Sequence, residues 1–302
     1  MATHRVTSEE QISVLVWARE VRRDLPWRRT RDPWSILVAE VMLQQTRADR
    51  VVPRWEHFLA RWPDVRSCSA AALSEVLEEW SGLGYPRRAR NLWSAARLIV
   101  ADGRSCCDDW FPDELDALLM LPGVGPYTAR AVLAFAFEHD AAVVDTNVGR
   151  VLARRAGSVL RPREAQDAAD AWVPEGAGWE WNQGLLDLGA LRCRPGRPDC
   201  GRCPVAVTCS WHLAGHPEPD PAERSAGVSR PQARFEGSAR QARGRLLHAV
   251  QSVAVDDGDL VGLFHWEQRS DAVAAAHAVA ESMLVDGLVS RDGHGRLTVA
   301  SE

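Results

Sequence analysis

Lysine is missing altogether from this 302-residue chain, so all 36 basic side chains are arginine. The usual cause is a base-composition bias of the genome, but the chemical consequence holds whatever the cause. No Lys amine exists to act as a nucleophile or to form a Schiff base. Tyrosine is nearly as scarce, with Tyr85 and Tyr127 the only two. Long apolar runs are lacking as well: no stretch approaches the eighteen or so apolar residues of a membrane-spanning helix. The N-terminus, MATHRVTSEEQ, is charged and has no apolar core of the secretory kind, so a cytoplasmic setting and no membrane partner are expected. In that reducing compartment the seven cysteines are not read as disulfides by default. A basic excess is absent too: the net charge is −5, from 36 basic and 41 acidic residues, which alone argues mildly against a nucleic-acid partner. Hydrophobic residues at 46% and charged residues at 25% exclude a chain disordered throughout.

What is present is helical periodicity. Residues 8–24 place Ile12, Leu15, Val16 and Ala18 on one face, with Ser8 as N-cap. Residues 33–62 read as two helices around a polar LQQTRA turn, and 70–80 and 87–101 as two more around SGLGYP. Residues 113–121 and 126–138 flank LPGVGP, and 147–157, 164–173 and 179–192 continue the pattern. The first 210 residues are therefore expected to be all-α, with about ten helices. Residues 214–233, rich in Pro, Gly and charge, read as a linker. Residues 234–302 then read as a small winged-helix-like α+β module, with two helices and a terminal hairpin, LVSRDGHGRLTVA. That module carries 7 Arg against 10 acids, so a strongly DNA-gripping wing is not expected.

Three motifs carry chemistry. Cys193, Cys200, Cys203 and Cys209 stand in a C-x6-C-x2-C-x5-C spacing. Four thiolates so close in a reducing compartment point to a metal centre. Zinc sites usually pair two C-x2-C knuckles, and only one is present. One compact loop can supply the four corners of a 4Fe–4S cluster, so iron–sulfur is favoured over zinc. Cys68, Cys106 and Cys107 lack such spacing and read as ordinary free thiols. In LPGVGPYTARAV, Gly123, Val124 and Gly125 bend the chain between two helices and leave amides at the start of the second, which suits a backbone phosphate. A tight helix–helix turn would use the same residues. Asp145, in VVDTNVGRV, follows an apolar run and precedes a helix that also holds Asn147; by itself it reads most simply as an N-cap.

Taken together, a helix–hairpin–helix, an Asp twenty residues beyond Gly125 and a four-Cys loop resemble the HhH-GPD superfamily of DNA glycosylases. The strings PWSILVAEVMLQQTRADRVVPRW, GLGYPRRARNL and WNQGLLDLGA are similar to the MutY-type adenine DNA glycosylases, from about residue 12 to 213. The resemblance implies an HhH-GPD catalytic region over 1–213, a 4Fe–4S cluster on the loop 193–209, and action as a monomer on double-stranded DNA containing a mispaired adenine. It implies Glu40 as the acid that protonates adenine and Asp145 as the carboxylate facing the sugar. Tyr127, at the position where bifunctional relatives carry their Schiff-base lysine, and Asn147 match supporting positions. Arg28, Leu43 and Gln183 match positions that contact the flipped adenine, Gln45 and Tyr85 match the wedge that fills the base stack, with Thr46 and Leu83 beside them, and Gln44 is a further substrate-binding position. The Arg clusters 28, 29, 31; 47, 50, 54; and 87, 88, 90 would grip phosphates locally. Two departures stand out. Pro86 replaces a second aromatic after Tyr85, and no Nudix-like domain for reading 8-oxoguanine is recognisable in 234–302. Preference for adenine opposite 8-oxoguanine over guanine is therefore expected to survive but to shrink, with 234–302 adding little to it. Two alternatives remain: a T/U·G mismatch glycosylase of the same superfamily, and a non-catalytic DNA-binding iron–sulfur protein.

Overall fold

Ser8 caps the first helix as its position predicts, its hydroxyl accepting from the Gln11 amide while the Gln11 side chain accepts from the Ser8 amide. The computed structural model describes residues 8–102, 110–225 and 234–300. Cys106 and Cys107, and 226–233 of the expected linker, lie outside the described residues. Helices follow as α1 (Glu9–Val21), α2 (Pro33–Leu43), α3 (Ala48–Arg61), α4 (Val65–Ala70), α5 (Leu73–Glu79) and α6 (Arg87–Ala101). Next come α7 (Leu115–Leu119), α8 (Pro126–Ala136), α9 (Thr146–Ala156), α10 (Pro162–Trp172), α11 (Gly178–Leu191) and α12 (Ser210–Leu213). The C-terminal part adds α13 (Ala239–Val250), α14 (Leu260–Phe264), α15 (Ala272–Val285), β1 (Val289–Arg291) and β2 (Leu297–Val299). Among the described residues no helix is long and apolar enough to cross a membrane.

Two compact units emerge, each drawn from separate stretches of chain. One comprises Met1–Leu37, Asp113–Met120 and Val124–Arg230; the other comprises Val38–Pro112, Leu121–Gly123 and Pro231–Glu302. In the first unit α1 packs along α11, and α9, α10 and α11 close a core of Val148, Val151, Leu152, Trp172, Trp181, Leu185 and Leu188. Cys193 and Cys203 pack against the same core, which anchors the cysteine loop from inside. Glu10 ties the loop from outside, accepting from Arg155 at 2.6 and 2.7 Å, from Thr208 at 2.6 Å and from Trp172 at 3.2 Å. Part of the stretch read as a linker is docked here too: Pro221 and Ala222 are buried, and Asp220 is bridged to Arg154.

The second unit is built on Phe58, Trp62 and Trp80, whose rings meet edge to face. It also holds the C-terminal helices and hairpin. The strands pair antiparallel in the register Val289↔Val299, Ser290↔Thr298, Arg291↔Leu297, and Val255 adds a bridge to Leu297. Asp286 joins α13 to α6 within this unit, 2.5 Å from Arg243 and 3.4 Å from Arg87.

Candidate active site

Glu40 lies on α2, which is apolar all round and is therefore buried rather than amphipathic. Val38, Ala39, Val41 and Met42 are buried beside it, and Glu40 itself is only 4% exposed. Its Oε2 atom is wholly enclosed. A carboxyl in such surroundings is costly for structure alone.

After α2 the chain turns sharply twice, and both turns hang on one side chain. Arg88 is 8% exposed, and its guanidinium donates to the carbonyls of Val41, Met42 and Gln44 at 2.7–2.9 Å. The same group donates to the Thr46 hydroxyl at 3.2 Å and to the carbonyls of Leu83 and Gly84 at 3.1 and 3.0 Å. Burial pulls the Arg88 pKa down to about 10, leaving it cationic at neutral pH. Arg88 and Arg28 thus leave the set of phosphate-gripping cations expected from sequence, because both are buried on carbonyl or carboxylate partners. The periodicity held a sign of this: Arg88 shares a helix face with buried Leu92, Ala95 and Ile99. Gln45 and Tyr85, the wedge candidates on the two turns, adopt left-handed φ values of +58 and +49. Non-glycine residues reach that region at a cost, and such strain concentrates at working sites. Leu83 is buried, Tyr85, Leu43, Gln44 and Thr46 are half-buried, and Gln45 is exposed.

Asp145 caps α9, its Oδ1 accepting from the amides of Asn147 and Val148 at 2.8 and 2.7 Å. Asn147 Nδ2 donates to its other oxygen at 2.9 Å. Burial raises the Asp145 pKa, outweighing these hydrogen bonds and the nearby charge of Arg150. Arg150 continues the chain of contacts. It donates to Asn147 Oδ1 at 2.9 Å, to the Gly189 carbonyl at 2.7 Å and to the Cys193 carbonyl at 2.6 Å. Gly189 makes room for this, since a Cβ there would stand 2.5 Å from Asn147 Cβ. The N-cap reading of Asp145 and its expected role in chemistry are compatible, because Oδ1 takes the two helix amides while Oδ2 meets the Asn147 side chain.

Arg28 and Asp187 form a buried two-pronged ion pair at 2.7 and 2.9 Å, with Arg23 adding a contact at 2.5 Å. Burial works against the Asp187 carboxylate, yet the Arg28 hydrogen bonds and the charges of Arg28 and Arg23 prevail and lower its pKa. Gln183 is buried one turn before Asp187 on α11. Tyr127 is half-buried at the start of α8, where it lines a cavity with Leu115, Pro126 and Val144. Gly125 caps α8 with Pro126 in its first turn, and Gly123 takes φ +78 with no space for a Cβ against Asn91. α7 and α8 thus form the expected helical hairpin.

Cys193, Cys200, Cys203 and Cys209 line a single cavity with Val151, Leu188, Val205 and Trp211. Burial pushes the Cys203 thiol up to about 12 and raises those of Cys200 and Cys209, with the neighbouring cysteines adding to the effect. Arg154 Nη1 donates to Cys193 Sγ at 3.4 Å and to the Arg194 carbonyl at 2.9 Å, bringing positive charge to the group. Four soft donors around one cavity, with a cation beside them, fit a four-thiolate metal centre. His216 Nε2 lies 3.5 Å from Cys200 Sγ and 3.0 Å from His212 Nδ1, a second ligand-capable cluster at the rim. Sequence reasoning gave Arg88 a different task and missed Arg150, Arg154, Asp187 and these histidines. A signal existed for two of them: Asn147, Arg150 and Arg154 fall on one stripe of α9. Cys68 is buried and its thiol is pushed up to about 12, in keeping with an inert core cysteine.

Residues 38–175 match the family model of the HhH-GPD superfamily base excision DNA repair protein. The adenine DNA glycosylase of Mycolicibacterium smegmatis is 39% identical over 300 residues, 96% of this chain and 96% of that protein. That of Mycobacterium tuberculosis is 39% identical over 311 residues, 98% of this chain and 96% of that protein. Among solved structures, a thermostable thymine-DNA glycosylase matches 68% of this chain and 97% of its own, at 32% identity and a TM-score of 0.63.

Proposed function

The chain belongs to the HhH-GPD superfamily, among its adenine DNA glycosylases, and from that premise we propose that it removes adenine mispaired with 8-oxoguanine or guanine without cutting the strand. The observation that carries this reading is Glu40, a carboxyl kept almost wholly out of water by an apolar helix. Adenine is a poor leaving group. Glu40 protonates it at N7, the bond from N9 to the sugar C1′ breaks, and adenine departs with the proton. Asp145 stabilises the positive charge left on the sugar, and water supplies the hydroxyl at C1′ while its released proton restores the Glu40 acid. Tyr127 and Asn147 support these two groups, and Arg28, Leu43 and Gln183 hold the flipped base. Gln45 and Tyr85 fill the stack it leaves, braced by Thr46 and Leu83, and Gln44 contacts the substrate. Amides of Gly123, Val124 and Gly125 take a backbone phosphate.

Cys193, Cys200, Cys203 and Cys209 would hold a 4Fe–4S cluster, whose contribution is to brace the loop rather than to hydrolyse. Arg194, Arg197 and Arg202 are exposed on that loop and would meet DNA phosphates. With no lysine in the chain, Lys-based strand cleavage has no nucleophile. We place the protein in the cytoplasm, acting as a monomer, with 1–213 as the catalytic region, 214–233 as connector and 234–302 as accessory module.

Likeness to a thymine-DNA glycosylase favours a second reading, release of thymine or uracil opposite guanine. The test of the first reading is single-turnover base release from an A·8-oxoG duplex by the wild-type chain and by Glu40→Gln. Loss of a general acid costs on the order of 10²–10⁴ in rate. The variant is expected to bind the duplex nearly normally and to release almost no adenine. A variant retaining more than about a tenth of the wild-type rate would show that Glu40 is not the acid, given that scale.

A further inference from the structure

Tyr85 does not stand on the turn unsupported: its hydroxyl accepts a hydrogen bond from Arg240 Nη1 at 3.0 Å. Arg240 belongs to the first turn of α13, in the C-terminal segment, and its Cζ lies 6.0 Å from the Tyr85 ring centroid and 5.4 Å from that of Phe235. Phe235 is 56% exposed. A cation in the first turn of a helix opposes the helix dipole, so helix stability does not explain an arginine there. α13 also leaves room beside the turn. Gly82, Gly84 and Gly244 line a cavity of about 80 Å³ with Trp80, His248 and Gln251. A Cβ on Gly84 or Gly244 would meet nothing within 4 Å, and a glycine within a helix weakens it. All these residues belong to one compact unit.

We propose that Arg240 is a positioning residue for Tyr85, and that 234–302 acts through this contact on discrimination of the base opposite adenine. The inference rests on the reading of Tyr85 as a wedge. A ring that enters a base stack must arrive at one angle. The left-handed backbone of Tyr85 sets where the ring starts, and the hydroxyl anchor sets where it ends. Arg240 thereby gives this chain a means of steering the lesion strand from within 234–302. It reverses the expectation that 234–302 adds little to base choice.

Single-turnover rates on A·8-oxoG and A·G duplexes, measured with the full chain carrying its metal, give a preference ratio for each variant. A hydrogen bond of ordinary net strength corresponds to about a two- to tenfold change in that ratio. Arg240→Gln and Tyr85→Phe are each expected to lower it by that factor, and the double variant by no more than either alone. Arg240→Lys should recover part of the loss, because an ammonium can still donate to the hydroxyl. A wild-type ratio in Arg240→Gln, or losses that multiply in the double variant, would overturn the proposal. Tyr85→Ala separates the two readings. If it leaves the ratio unchanged, the wedge reading fails; if it lowers the ratio while Arg240→Gln and Tyr85→Phe do not, only the role of Arg240 fails.

Discussion

Asp145 keeps its proton to a higher pH than an ordinary aspartate, because burial outweighs its three hydrogen bonds. Its charge is what the proposed chemistry needs. Activity should therefore fall on acidification at a pH above about 3.9, the usual aspartate value. A rate profile whose acidic limb lies at or below that value would contradict the burial. Asp145→Asn keeps much of the cap geometry but removes the charge, and single-turnover rates should drop about as far as for Glu40→Gln, on the order of 10²–10⁴. How legible was this scale in the sequence? Glu40 is reached through the resemblance of the stretch around it, and Val38, Ala39, Val41 and Met42 are the apolar setting such an acid needs. Arg88 reads as one of the phosphate-gripping cations, and only the helix face it shares with Leu92, Ala95 and Ile99 hints that the fold buries it. Arg150 leaves only its place on the stripe with Asn147 and Arg154, because its carbonyl partners on Gly189 and Cys193 are distant in sequence.

Helices α9 and α11 carry most of the first unit's polar architecture, and two predictions belong to them. Arg150 connects Asn147, the companion of Asp145, to the Cys193 carbonyl. Removing a hydrogen-bonding partner of this kind around a metal site costs on the order of ten- to a hundredfold in activity or metal affinity. Arg150→Gln should show that loss in base release, and visible absorbance will tell whether the cysteine loop keeps its metal. A variant with wild-type rate and colour would mean that the connection carries nothing. On α11, Asp187→Asn leaves the Arg28 guanidinium buried without its counter-charge. Breaking one side of a buried pair costs about 3–5 kcal/mol, so the melting temperature should fall steeply, and an unchanged melting curve would refute the pair's role. Because the Asp187 pKa is lowered on folding, its contribution is present above the unfolded aspartate value and is lost as pH falls through the folded one. The helices themselves were legible almost to the residue, because periodicity and caps such as Ser8 and Gly125 act locally. The short helices α4, α12 and α14 escaped, being too brief to show a period.

Over the whole molecule, a net charge of −5 has to coexist with a grip on DNA. On the proposed reading, exposed arginines such as those at 194, 197 and 202 would supply it locally, whereas Arg28 and Arg88 are buried. Division into two discontinuous units was not legible, since it depends on which distant stretches pack together. The cysteine loop was, because four thiols in one short span have few other uses. Purified protein should be brown with about four irons per chain, as a 4Fe–4S centre requires; a colourless protein holding one zinc would contradict this. With no lysine present, borohydride should trap at most a trace of protein–DNA adduct through the terminal amine, and the abasic strand should stay uncut until alkali is added. Efficient trapping in a tag-free preparation would count against the site as drawn. The most direct test of the central claim is single-turnover base release from A·8-oxoG, A·G, A·C, T·G and U·G duplexes side by side. Free adenine from A·8-oxoG and A·G, with T·G and U·G left intact, is the predicted result. Release of thymine or uracil, with the adenine duplexes untouched, would contradict it.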